Sequence, residues 1–116
     1  MNNTDIKGKK QRKETVYDDI SIYMLESNDL ENKYIGSTVN TKNRLIHHKY
    51  RSKFEKGKNY NLKLYKMIRE KGGIENFTIK IIERSSFENN KEKLIRESFW
   101  INHFKPNMNS INGYYR

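Results

Sequence analysis

No cysteine occurs among the 116 residues. That excludes disulfide frameworks, zinc fingers and thiol catalysis. Long hydrophobic runs are missing too. None approaches the ~18 residues that a membrane span needs, so no membrane partner is expected. Met1 to Lys13 is polar and basic, without the apolar stretch of a secretory signal. A soluble, intracellular chain is the expectation. Alanine is absent, while Lys, Asn and Ile number 17, 15 and 13. Those three can be written with AT-only codons, which points to an AT-rich genome such as that of a phage, a virus or a low-GC bacterium. Apolar supply is thin: Ile, Leu, Val and Phe make up 26 of 116 residues. This lies just above the composition at which disorder becomes the default. Eight Tyr, four Met and one Trp add to it, so one small core and one domain are expected.

What the chain does have is positive charge, at a net +10. A charge this positive favours a polyanionic partner, most often nucleic acid. It is unevenly spread. Residues 17–41 are acidic at −4, whereas residues 42–71 carry +9. A polyanion should therefore meet the middle third, and Lys42, Lys49, Arg51, Lys53, Lys56, Lys58 and Lys63 are the candidate DNA contacts. Residues 1–16 have no apolar periodicity and read as a disordered basic tail. The tail serves either solubility or loose phosphate contact. Residues 17–116 read as the folded domain.

Ile20 to Glu26 alternates as a strand, with Ile20, Ile22 and Met24 on one side and Ser21, Tyr23 and Leu25 on the other. After the polar loop Ser27 to Asn32, Lys33-Tyr34-Ile35-Gly36 predicts a second strand, and the two form a hairpin. Thr41 is the expected N-cap of a helix reaching about Phe54. Ile46, Tyr50 and Phe54 are its expected core stripe, with Arg44, His48 and Arg51 on roughly the opposite side. A second helix is expected over 61–71, with Leu64, Tyr65 and Ile68 as its core face and Gly72-Gly73 as its stop. Phe77 to Ile82 alternates as a third strand. A long last helix spans about Asn90 to Phe104, ending before Pro106. The order ββααβα predicts an α+β fold, a small three-stranded antiparallel sheet flanked by three helices.

Three features stand out from this background. Glu97 has Leu94, Ile101 and Phe104 as its helical neighbours, so a carboxylate sits in an apolar stripe. Buried alone it would cost several kcal/mol. It is either half of a structural ion pair or a metal ligand. Tyr23 and Tyr34 lie on adjacent strands of a hairpin that should bring them near each other, as packing residues or as site residues. Arg44 and His48 lie one turn apart, as a solvated basic face or as part of a site.

Taken together these residues resemble the GIY-YIG nuclease family. Its first motif is similar to Ser21-Ile22-Tyr23, its second to Tyr34-Ile35-Gly36, followed by Ser37-Thr38. The family's helix Arg matches Arg44, eight residues after Gly36, and its His matches His48. The family's Glu with an aromatic pair matches Glu97-Ser98-Phe99-Trp100-Ile101, and its terminal Pro-x-x-Asn matches Pro106-Asn107-Met108-Asn109. Ser21 replaces a non-catalytic Gly. Lys58-Asn59-Tyr60-Asn61 stands where some homing members carry a further His. The likeness is nearest to homing-type and free-standing viral or phage members.

The resemblance implies a metal-dependent DNA endonuclease that hydrolyses phosphodiester bonds. With a single carboxylate in the set, a one-metal mechanism is expected, with Glu97 holding Mg²⁺ or Mn²⁺. Arg44 would hold the scissile phosphate, Tyr34 would orient water or phosphate, and Asn109 would position the site. Tyr23 is the expected general base, needing a lowered pKa or onward proton transfer, and His48 is its rival. Homing relatives carry a separate DNA-binding module after a linker. Only seven residues follow Asn109 here, so none is expected. Specificity would then be low, or come from a homodimer or a targeting partner protein. The alternative is a catalytically inactive, basic nucleic-acid-binding domain.

Overall fold

The computed structural model describes residues 17–110. The basic tail, residues 1–16, lies outside the described residues. Three strands, β1 (Ile20–Ser27), β2 (Lys33–Thr38) and β3 (Phe77–Ser85), form one antiparallel sheet in the order β2-β1-β3. Three helices accompany it: α1 (Thr41–Lys53), α2 (Lys63–Glu70) and α3 (Asn90–Phe104). A single 3-10 turn, Ile74–Asn76, leads into β3. The α+β class and the ββααβα order are those expected.

Every residue of the central strand β1 is buried. Its alternation feeds two cores. Tyr23 and Leu25 pack with Leu64, Tyr65 and Ile68 of α2, with Ile74 and Phe77, and with Leu45 of α1. Ile22 and Met24 pack with Ile35 and with Ile101 and Trp100 of α3. Each such side chain contributes about 1.5–3 kcal/mol by leaving water. The β1/β3 ladder shifts between Ile22, opposite Glu83, and Tyr23, opposite Ile81. The extra residue, Ile82, is a bulge that breaks the alternation of β3. Ile82 joins the Ile22 core while Ile81 stands exposed. Glu83 accepts hydrogen bonds from Arg96 Nε and Trp100 Nε1 of α3, both at 2.7 Å.

The first helix departs from expectation. Its N-cap is Asn40, not Thr41: the Asn40 side chain accepts from Asn43 N at 3.0 Å. More consequentially, the helix is rotated. Ile46, Tyr50 and Phe54 are exposed, whereas His48 and Ser52 are buried. Arg44 and Arg51 are half-buried. The stripe that periodicity assigns to the core faces outward. The reason is the sheet beneath. Tyr23 is buried there, and its hydroxyl needs a hydrogen-bond partner that an aliphatic face could not supply. His48 meets that need. Arg69 Nη1 donates to Ser52 O at 2.9 Å, and Lys49 pairs with Glu75 at 3.4 Å, fixing α1 against α2 and the 3-10 turn.

The second helix starts two residues later than expected, at Lys63, and buries Leu64, Tyr65 and Ile68 as predicted. Gly72 (φ 92°) and Gly73 (φ 119°) end its turn in a backbone region that other residues rarely adopt. After α3, Lys105 takes a left-handed conformation (φ 50°) and Pro106 diverts the chain along the outer edge of β2. Asn107 Oδ1 accepts from Lys33 N at 2.8 Å, and Met108 N donates to Lys33 O at 3.0 Å. Asn109 accepts from Ile35 N and donates to Ile35 O, both at 2.9 Å. Two asparagine side chains thus do the work of a fourth strand and close an edge that would otherwise be open.

Candidate active site

The hairpin places Tyr23 opposite Gly36. A Cβ at Gly36 would lie 2.7 Å from the Tyr23 hydroxyl and 2.9 Å from the Tyr34 ring. The glycine is therefore what lets the two phenols converge. Their ring centres are 6.2 Å apart, and the rotated α1 sets His48 between them, at 6.0 Å from Tyr23 and 5.9 Å from Tyr34. Tyr65, from α2, completes the enclosure at 5.7 Å. The Tyr23 hydroxyl and His48 Nε2 are 2.8 Å apart, and His48 Nδ1 and the Tyr65 hydroxyl 2.9 Å. A neutral imidazole has one N–H and one lone pair, so it donates to one phenol and accepts from the other.

Burial dominates the electrostatics of this group. His48 is pulled down to about 3 by loss of water, with Arg44, Arg51 and His47 adding repulsion. It is neutral at physiological pH. Tyr23 is pushed well above the ordinary phenol range by burial first and Tyr34 second; Arg44 acts the other way and does not prevail. Of the two routes expected for a Tyr23 base, a lowered pKa is thus not supplied by the protein's own groups, which leaves onward proton transfer. Desolvation outweighs one partly exposed guanidinium.

Glu97 comes from α3 and approaches beside β2. It lines a cavity of about 200 Å³ with Tyr34, Ile35, Met108 and Asn109. Burial raises its pKa, while a hydrogen bond from Ser37 and the charges of Lys93 and Arg44 act the other way. No ion pair joins Glu97 to a Lys or Arg at contact distance among the described residues. Of its helical neighbours Ile101 is buried, Leu94 half-buried and Phe104 exposed, so the carboxylate sits at the rim of the apolar stripe. Arg44 Nε is the one buried side-chain nitrogen or oxygen without a hydrogen-bond partner among the described residues. A buried donor left unpaired is costly.

Tyr23, Tyr34, Arg44, His48 and Glu97 thus converge, with Asn109 pinning the strand that carries Tyr34. A GIY-YIG catalytic domain model matches residues 19–112. The chain belongs to this family. No curated protein and no solved structure gives a significant match. As a GIY-YIG protein it falls among nucleases.

Around this GIY-YIG site, four residues have roles that the sequence does not reveal. Tyr65 reads there as plain core. Ser37 stands beside the second motif without a visible role. Asn107 and Met108 fix β2 from a terminal segment whose direction after Pro106 no periodicity reveals. Of the candidate DNA contacts, Lys42, Lys49, Lys53, Lys56, Lys58 and Lys63 are exposed, and Arg51 is half-buried. Lys63 lies apart from the α1 cluster, lining a cavity with Asn102, Lys105 and Asn109 beside the Glu97 pocket.

The donor set fits a hydrated hard cation. Among the described residues no three His, Asp or Glu side chains cluster as a closed metal cage. A lone carboxylate with a raised pKa, in a small cavity where Tyr34, Asn109 and Ser110 are the other polar groups among Ile35, Leu62, Leu64, Ile101 and Met108, suits Mg²⁺ or Mn²⁺, which retain most of their waters.

Proposed function

We propose that this chain is a DNA endonuclease that hydrolyses phosphodiester bonds with one divalent metal. The observation that carries the reading is the placement of Glu97, desolvated and in no ion pair among the described residues, near Arg44, whose buried Nε lacks a hydrogen-bond partner among them. Both gain from a phosphate and its cation. When bound through Glu97, Mg²⁺ or Mn²⁺ supplies positive charge to the phosphate and the leaving 3′ oxygen.

Arg44 holds the scissile phosphate, its unsatisfied Nε–H donating to a phosphate oxygen. Tyr34 borders the Glu97 cavity and orients the attacking water. Tyr23 accepts the water proton on its oxygen as its own proton passes transiently to the neutral His48 at Nε2, Tyr65 holds the ring through Nδ1, and the proton is given back to the leaving 3′ oxygen as its bond to phosphorus breaks. Both Tyr23 and His48 resist charging. Both therefore keep their neutral forms through neutrality, and the rate should show no inflection near the ordinary histidine pKa. Asn109 keeps β2, and with it Tyr34, in register. The exposed lysines of α1 and the following turn receive the flanking backbone. The Ser98–Ile101 and Lys105–Asn109 stretches support a homing-type or free-standing viral or phage member, with a second copy or a targeting partner supplying specificity.

The test is plasmid nicking. Wild type should relax supercoiled DNA with Mg²⁺ or Mn²⁺, and Glu97→Ala and Arg44→Ala should not. No nicking by wild type, or equal nicking by both variants, leaves the inactive nucleic-acid-binding domain as the better reading.

A further inference from the structure

The outward side of α1 forms a groove of about 510 Å³ with the turn that follows it. Ile46, Tyr50 and Phe54 line it from the helix and Tyr60 from the turn, with Arg51 and Lys58 beside them. Ile46 and Tyr50 are 59% and 60% exposed, too much for core residues. The Tyr50 and Phe54 rings lie 5.2 Å apart, tilted by 32°. This is the stripe that the rotation of α1 turns outward, and among the described residues nothing buries it.

Its chemistry is specific. Flat exposed rings offer stacking surface, and the adjacent cations offer charge to phosphates. Residues 42–71, which contain the groove, carry a net +9. Arg51 connects the groove with the site described above: it lines the groove and at the same time bears on His48. Arg44 and Arg51 share one side of α1, about 10 Å apart along its axis. A strand held at Arg44 can thus run along α1 to the groove. Bases in a duplex have no free face; an unpaired base has two.

We propose that this groove stacks an unpaired base from a single-stranded stretch of the DNA substrate bordering the cleaved bond. The inference rests on the nuclease reading and adds the form of its substrate: DNA in which paired and unpaired segments meet.

The test is fluorescence anisotropy of the full chain in EDTA, so that binding is read without cutting. The probes are a labelled single-stranded oligonucleotide, its duplex, and single strands with one abasic position. Tyr50→Ala should weaken single-strand binding about ten-fold and duplex binding by no more than about two-fold. Tyr50→Trp should restore it, and Ile46→Asp, which sets a negative charge in the groove, should weaken it further. The best-placed abasic lesion should cost wild type about as much as Tyr50→Ala does, and should cost Tyr50→Ala little more. An unchanged thermal melt of Tyr50→Ala shows that folding is intact. Single-strand binding equal to wild type in both variants overturns the proposal, as does an equal loss on single strands and duplex. So does a dimer in sedimentation that Ile46→Asp dissolves without effect on DNA binding, since the occupant is then a second copy. Plasmid nicking by wild type separates the two levels. If nicking holds while the stacking signature is absent, only the groove assignment falls. If no form of DNA is cut, the nuclease reading falls and the substrate role of the groove with it.

Discussion

Lowering the pH from about 7 to about 4.5 charges an ordinary histidine, but His48 has no room for the charge. It is 1% exposed, bonded through both ring nitrogens to phenols, and held down to about 3 by burial and by Arg44, Arg51 and His47. In the unfolded chain the same ring titrates near 6.5. Between these values the unfolded state binds a proton that the folded state refuses. The contribution of His48 to stability is therefore complete above about pH 6.5 and drains away as the pH falls toward about 3. At about pH 4.5 the loss is roughly two units at 1.36 kcal/mol each, or about 2.7 kcal/mol. For a domain of this size that corresponds to a fall in Tm of roughly 11–22 °C. Carboxylates held low by lysines, such as Glu26, also weaken the fold in acid, so the effect must be read as a difference. His48→Gln keeps a donor and an acceptor between Tyr23 and Tyr65 but does not titrate. Thermal melts of both proteins followed by circular dichroism across this range should diverge, with wild type falling faster. Parallel pH dependence in the two proteins would refute the buried neutral imidazole.

Glu97→Gln should abolish plasmid nicking while leaving Tm unchanged or raising stability by about 0.5–1 kcal/mol, because burial disfavours the native carboxylate; a loss of stability would mark Glu97 as structural. Gly36→Ala should cost about 1–3 kcal/mol in urea unfolding and impair cleavage, since the added Cβ must displace the Tyr23 hydroxyl from 2.7 Å. Asn109→Ala removes two hydrogen bonds to Ile35 and should destabilise by about 1–3 kcal/mol, with reduced nicking by the folded fraction as β2 loses its outer support. Tyr50→Ala should stay within about 0.5 kcal/mol of wild type, whereas Ile22→Ala should lose about 2–5 kcal/mol. Equal losses at those two positions would show that α1 packs the other way round in solution.

Element by element, much of this protein is readable from local pattern. The alternation of Ile20–Glu26, the Gly72-Gly73 stop and the Pro106 break each depend on backbone preference within a few residues, and each element appears where it is expected. Glu97 was legible as well, since a carboxylate among apolar helical positions is out of place wherever the helix docks. Tyr65 and Ser37 were not, because their roles exist only relative to His48 and Glu97. The asparagines after Pro106 read as a turn, and become strand partners only once the edge of β2 lies beside them.

The facing of α1 shows where the two levels part. Periodicity establishes that Ile46, Tyr50 and Phe54 share one side of a helix and Arg44, His48 and Arg51 the other. Which side turns inward depends on what the opposing surface requires, and that surface comes from strands and a helix distant in the chain. Here it presents buried phenol hydroxyls that need a hydrogen-bonding ring, and burying a satisfied imidazole costs less than stranding those hydroxyls under isoleucine. Composition and spacing determined the elements, their order and the charged middle of the chain; tertiary contact alone decided that the polar side of α1 builds the site and the apolar side meets the solvent.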